Sequence, residues 1–193
     1  MQVKDLTMNM EADMMGQTLQ MEIVQKAPHK VSTKMTTQGM TVMEQVFNGE
    51  KGIQGQMGQN APMSAEDIEL AKKQAVLFPE AQLEKTGATL KFVGTENVDG
   101  KNAYVVEMVD TDGKKTNLFF DASTFLKIKE VSTFEANGQT VTMTNDLADY
   151  KEVDGILFPH TRTTSGAMPA PLKMIVKEIK VNSGVADSFF KVE

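Results

Sequence analysis

Nucleophilic catalysis needs a nucleophile beside a base, and this chain of 193 residues supplies only two histidines, His29 and His160, and no cysteine. No Gly-x-Ser-x-Gly elbow is present, and neither histidine has a sequence partner that would make it a base or a metal ligand. Both read as turn or surface residues. A zinc site needs three or four nitrogen, sulfur or carboxylate ligands, and the histidine spacings that supply them on one helix face are missing. Asp146, Asp149, Glu152 and Asp154 crowd together but lack the calcium-loop spacing, so they read as a solvated face and turn. Gly49, Gly52, Gly55 and Gly58 recur every third residue without the Gly-Lys-Ser/Thr that would mark a phosphate loop. A flexible, twisted hairpin or lid is the expectation there. Taken together, these residues predict no catalytic group, no metal and no cofactor.

Methionine is the unusual residue. Eleven of the 15 methionines fall within residues 1–63, and Met8, Met10, Met21 and Met35 occupy apolar alternation sites of three successive predicted strands. Methionine is unbranched and polarisable, which suits a surface that accepts ligands of variable shape; it equally fills gaps in an ordinary core. Both readings stand on the sequence.

The elements that must position these residues are mostly strands. Val98-Asp99-Gly100-Lys101, Thr111-Asp112-Gly113-Lys114 and Ala136-Asn137-Gly138-Gln139 place Asp-Gly or Asn-Gly between alternating runs. Such pairs tolerate the positive φ of tight hairpins. Tyr104, Val106 and Met108 fall on one face, then Leu118 and Phe120, then Leu126 and Ile128, then Val141 and Met143. Toward the N-terminus, Leu6, Met8 and Met10 alternate, then Leu19, Met21 and Ile23, then Val31, Thr33 and Met35, with turns at Gly16-Gln17 and Pro28-His29. Asn48-Gly49 marks a further hairpin, Leu172–Val181 a further strand, and Phe189-Phe190 an anchor. One segment has helical spacing: Ser64 to Phe78, opened by a Ser64/Asp67 capping box, striped by Ile68, Ala71, Ala75 and Phe78, and ended by Pro79. The expectation is a single domain over 1–193, α+β in class, with about eight to ten strands and one clear helix.

The net charge of −6 and a pI near 5.1 give a field that repels phosphate backbones, so nucleic acid is not an expected partner. No apolar run approaches the roughly 18–20 residues of a spanning helix, and residues 1–6 lack the basic and apolar regions of an export signal.

The order of motifs in the second half resembles the outer-membrane lipoprotein-sorting family, the LolA-like lipoprotein carriers, and especially their cell-envelope relatives in Bacteroidetes. The resemblance rests on Val93-Gly94-Thr95-Glu96-Asn97-Val98-Asp99-Gly100-Lys101, Tyr104-Val105-Val106, Leu118-Phe119-Phe120-Asp121-Ala122-Ser123-Thr124-Phe125-Leu126 and Asp149-Tyr150-Lys151-Glu152-Val153-Asp154-Gly155-Ile156-Leu157-Phe158-Pro159. It implies an unclosed, strongly curved antiparallel half-barrel wrapped around one or more helices, with a non-catalytic apolar cavity for a lipid or lipoprotein acyl chain. It also implies a periplasmic or outer-membrane-associated location. Relatives usually open with a helix where this chain opens in a strand, so an N-terminal helix or upstream region is expected to be missing. Similar domains also sit C-terminal to insulinase-type zinc peptidases, which offers the alternative of an accessory domain in a larger polypeptide with no ligand of its own. Face alternation then nominates the ligand-binding residues: Met8, Met10, Leu19, Met21, Ile23 and Met35 on the first strands, Ile68 and Phe78 on the helix, and Tyr104, Val106, Met108, Leu118 and Phe120 on the central strands.

Overall fold

The computed structural model describes residues 2–14, 16–78, 82, 87–136, 139–166 and 169–192. Thirteen strands follow one another: β1 (Asp5–Met14), β2 (Gln17–Lys26), β3 (Lys30–Thr37), β4 (Met40–Phe47), β5 (Gly52–Gln56), β6 (Gln59–Pro62), β7 (Thr89–Val98), β8 (Lys101–Val109), β9 (Lys115–Asp121), β10 (Lys127–Ala136), β11 (Gln139–Val153), β12 (Ile156–Ser165) and β13 (Leu172–Val181). They form one sheet in the order β6-β5-β4-β3-β2-β1-β13-β12-β11-β10-β9-β8-β7. Every neighbour but one is the next strand in sequence, which short turns between antiparallel strands dictate. The exception is the seam between β1 and β13, paired antiparallel from Leu6 opposite Val181 to Ala12 opposite Met174. Strands β6 and β7 end the order, so the antiparallel sheet is unclosed among the described residues. The strand count exceeds the expected eight to ten partly because β5 and β6, a short hairpin over Met57-Gly58, carry glycine and glutamine in place of apolar alternation.

One α-helix, α1 (Ala65–Gln74), lies among the described residues, and no helix there is long and apolar enough to cross a membrane. It begins as expected. The Asp67 backbone N–H donates to Ser64 Oγ at 3.2 Å, and the Ser64 backbone N–H donates to an Asp67 carboxylate oxygen at 3.1 Å. It ends four residues early. Ala75 is the C-cap, and Phe78, expected to close the helix, instead sits at φ 50°, outside the right-handed helical geometry that the following Pro79 disfavours.

By its internal contacts the chain divides into two compact units. The first comprises residues 1–78, 151–158 and 174–193. Directly opposite residues of antiparallel strands share a face, so the pairs Leu6/Gln25, Gln25/Val31 and Val31/Phe47 define one face of β1–β4. Helix α1 packs on that face: Val31, Phe47, Met63, Ala71 and Ala75 form a buried cluster joined by Ile68. Leu77 and Phe78 continue onto Leu6, Met8 and Phe158, with the Phe78 and Phe158 rings 6.0 Å apart. The opposite face is held by a short 3-10 helix, Asp187–Phe190, whose Phe190 is buried with Val24 and Val46. Lys26 and Lys30 reach Asp187 at 2.8 and 2.9 Å, and hydrogen bonds from those ammonium groups hold its carboxyl down to about 2.

The second unit comprises residues 79–150 and 159–173. Ala103, Val105 and Phe119 form its core, with Val98, Ile128 and Val131 packed against them. Buried Asn145 is its polar pin: Oδ1 accepts from Arg162 Nε and Nη2 at 3.2 and 3.0 Å and from Thr164 Oγ1 at 2.7 Å. The expected turns at 98–101 and 111–114 are present; at 136–139, Ala136 pairs with Gln139, and residues 137 and 138 lie outside the described residues. His29 is an exposed turn residue, as expected, whereas His160 is half-buried within β12 and is no turn. Alternation in β12 is broken by Pro159, which conceals the strand in the sequence.

Candidate functional site

Successive strand registers bring the N-terminal methionines into one row. Met10 stands directly opposite Met21, Met21 opposite Met35, and Met35 opposite Met43. At ~4.8 Å per strand the row crosses four strands over about 14 Å. It lies on the α1 face, four residues along β3 and β4 from Val31 and Phe47, or about 13 Å at the usual strand rise. The helix stops short of it. Gln74, the last helical residue, accepts from Gln25 Nε2 through its backbone oxygen at 2.6 Å and from Gln45 Nε2 through its side chain at 3.1 Å. Gln45 is in the row next to the methionines. Met10 is buried, and Met21, Met35 and Met43 are half-buried.

Of the nominated residues, Met10, Met21 and Met35 form this row, with Leu19 one step beyond it and Met8 and Ile23 one step before it. Met8, Ile68 and Phe78 pack into the clusters beneath and beside α1. Met43 was not nominated. Gln45 interrupts the apolar alternation of β4, and only the pairing with Met35 reveals its place.

The other nominated group shares a face in the second unit. Tyr104 pairs with Phe120, Val106 with Leu118 and with Phe92, and Met108 with Leu90. Leu118 is buried, Val106, Met108 and Phe120 are half-buried, and Tyr104 is exposed. The unit's Ala103/Val105/Phe119 core occupies the reverse face, so this one is an apolar surface in its own right. Phe92 and Phe125, neither nominated, extend it: Tyr104 meets Phe92 edge-on at 6.2 Å and stacks on Phe125 at 6.1 Å. Phe125 is presented by a turn in which Asp121 Oδ1 accepts from Ser123 Oγ at 2.5 Å and from the Ser123 and Thr124 backbone N–H groups at 2.8 and 3.0 Å. Those bonds hold the Asp121 carboxyl down to about 2, the Ser123 hydroxyl first among them.

A cleft of about 350 Å³ opens at β1–β3, lined by Met10 and Met21 of the row together with Glu11, Glu22, Lys34 and Lys177 among others. Its charged side chains balance, Glu11 and Glu22 against Lys34 and Lys177. Lys177 meets Glu11 at 3.2 Å and, by that hydrogen bond, lowers its carboxyl below the ordinary range. The described residues hold no group of three or more histidine or carboxylate side chains placed to bind a metal. Asp146 pairs instead with Lys129 at 3.8 Å, and Asp149 accepts from Thr161. The glycine run is an ordered hairpin: a Cβ on Gly55 would lie 2.1 Å from the Gln59 carbonyl oxygen, and one on Gly52 would lie 2.2 Å from Met63 Sδ.

The sequence matches no family model and no curated protein. The architecture matches solved structures along nearly its whole length. A LolA superfamily protein from Nitrosomonas europaea superposes with a TM-score of 0.67 over 98% of this chain and 90% of that one, at 12% identity. The chain has the fold of the LolA superfamily. A DUF1329 family protein from Desulfovibrio piger gives 0.66 over 98% and 90% at 12% identity. An outer membrane lipoprotein-sorting protein domain from Vibrio parahaemolyticus gives 0.65 over 97% and 89% at 14% identity. At these identities the likeness is one of LolA-like fold, and the residues that act must be argued from this chain alone.

Proposed function

We propose that this chain is a non-catalytic, carrier-like domain of the bacterial cell envelope that holds a lipid or lipoprotein acyl chain against an apolar face of its sheet. The observation that carries the reading is the row Met10–Met21–Met35–Met43 on the face where helix cover ends. An acyl chain gains about 0.8 kcal/mol for each methylene it buries, and the flexible thioether side chains can adapt to its path. The LolA-like fold supports the lipid class and the envelope location, because one similar structure is described as an outer membrane lipoprotein-sorting domain. The nominated residues of the second unit form a second apolar face of the same chemistry.

A competing reading is an accessory module of a larger polypeptide, filled by its own side chains. The complete burial of Phe47 on the sheet against Ala71 and Ala75 of the helix favours it for that end of the face. Gentle native mass spectrometry of the purified chain, followed by solvent extraction, separates the two. The carrier reading expects a lipid adduct that extraction removes and added fatty acid restores. A chain that stays at its bare mass with excess fatty acid present refutes it.

A further inference from the structure

The two edges of the sheet are unlike each other. Strand β6 has four residues and ends in Pro62, which offers no N–H; short edges ending in proline resist pairing with another chain. Strand β7 has ten residues, eight of them exposed, and no described strand pairs with its outer side. Leu90, Phe92 and Val93 remain 49%, 62% and 56% exposed, on an edge where proteins ordinarily place protection.

We infer that β7 is the interface of a two-fold homodimer, pairing antiparallel with β7 of a second copy about an axis between Val93 and Gly94. In that register all ten residues are matched, Thr89 with Val98 at each end. Lys91 of each copy faces Glu96 of the other, and Phe92 faces Thr95.

The bulge makes this alignment possible. In a regular strand, residues separated by an odd number of positions point to opposite faces, so Lys91 and Glu96 could not meet. The extra residue between Phe92 and Gly94 shifts the second half of β7 by one. Phe92 and Thr95 therefore stand opposite Val106 and Tyr104 on one face, and Lys91 and Glu96 opposite Glu107 and Ala103 on the other. A bulge usually protects an edge. Placed at the centre of the strand, it is instead common to both copies and keeps like faces together. The charges are available: Glu107, across from Lys91, is engaged by Lys115 at 3.4 Å, and neither Lys91 nor Glu96 has an ion-pair partner among the described residues. Self-complementarity of this kind is what an isologous contact requires, and added-strand pairing supplies the main-chain hydrogen bonds. The aromatic faces of the two copies then run together, Phe92 of one beside Thr95 and Tyr104 of the other.

The test is sedimentation velocity on the whole chain, wild type and charge-reversed. Wild type is expected to move from monomer to dimer with rising concentration. Lys91→Glu and Glu96→Lys, each placing like charges together at both symmetric sites, are expected to weaken the dimer about tenfold. The double variant K91E/E96K restores opposite charges and is expected to return to within about threefold of wild type. Both positions are exposed, and unchanged circular dichroism confirms that each variant is folded. A monomer at concentrations up to ~1 mM, or a dimer indifferent to the single reversals, overturns the proposal.

Discussion

Replacing Met35 and Met43 together by serine separates a methionine row that receives a ligand from one that fills a core. Both side chains are half-buried in the free protein, and full burial of a methionine stabilises by about 1.5–3 kcal/mol. The half already covered therefore contributes about 1 kcal/mol of folding stability per residue, and the half still exposed about 1 kcal/mol of ligand affinity. The double variant should lose roughly 2 kcal/mol of each. In binding this is about thirty-fold in dissociation constant, read by titrating a fluorescent fatty acid. In stability it is a fall of about 4–8 °C in thermal midpoint for a chain of this size, read by circular dichroism. Affinity unchanged within about twofold, with the fold intact, removes the row from the ligand's path. Loss of about 2–5 kcal/mol of stability per site, as for fully buried methionines, shows that the row fills a core.

Asn145→Leu keeps the volume of the side chain but withdraws the one oxygen on which Arg162 and Thr164 converge; urea denaturation should show a loss of about 1–3 kcal/mol, and no change would mean that the pin is ornamental. Ser64→Ala removes the capping box of α1 and should cost about 1 kcal/mol in the same assay. Asp121 and Asp187 are held down to about 2 in the folded chain against about 3.9 unfolded. Their contribution is therefore complete above pH ~4 and lost as pH falls through ~2. The thermal midpoint should fall across that window, and Asp121→Asn with Asp187→Asn should flatten the fall. An acid limb identical to wild type would point to other carboxylates.

What could be read from the sequence was local. Asn48-Gly49 and Asp99-Gly100 announce hairpins because few other pairs accept their backbone angles, and Ser64 with Asp67 announces a helix start because the donors it satisfies are adjacent in the chain. The faces of β1–β3 and β8–β9 followed from alternation. Features decided by distant contacts did not. Gly52 and Gly55 look like a flexible run until Met63 and the Gln59 carbonyl are seen where their Cβ atoms would be. Asn145 looks like a solvent-facing residue in a polar stretch until Arg162 and Thr164 arrive from β12. Met43 is hidden behind Gln45, and Phe92 and Phe125 carry no sequence mark of their exposure. The site was thus half legible: strand pattern identified which side chains share a face, while which of those faces is covered depends on where α1 stops.

The seam between β1 and β13 has a consequence for how the molecule is made. Lys4 N–H reaches Asn182 Oδ1 across 178 residues of chain, whereas nearly every other strand finds its neighbour across one turn. During synthesis β1–β6 can zip in order as they emerge, but β1 keeps one side unsatisfied until β13 arrives. Contacts this distant in sequence close late and slow folding, and an open strand edge invites wrong partners in the meantime. The interval between the emergence of β1 and that of β13 is therefore the one in which the open side of β1 is exposed to mispairing.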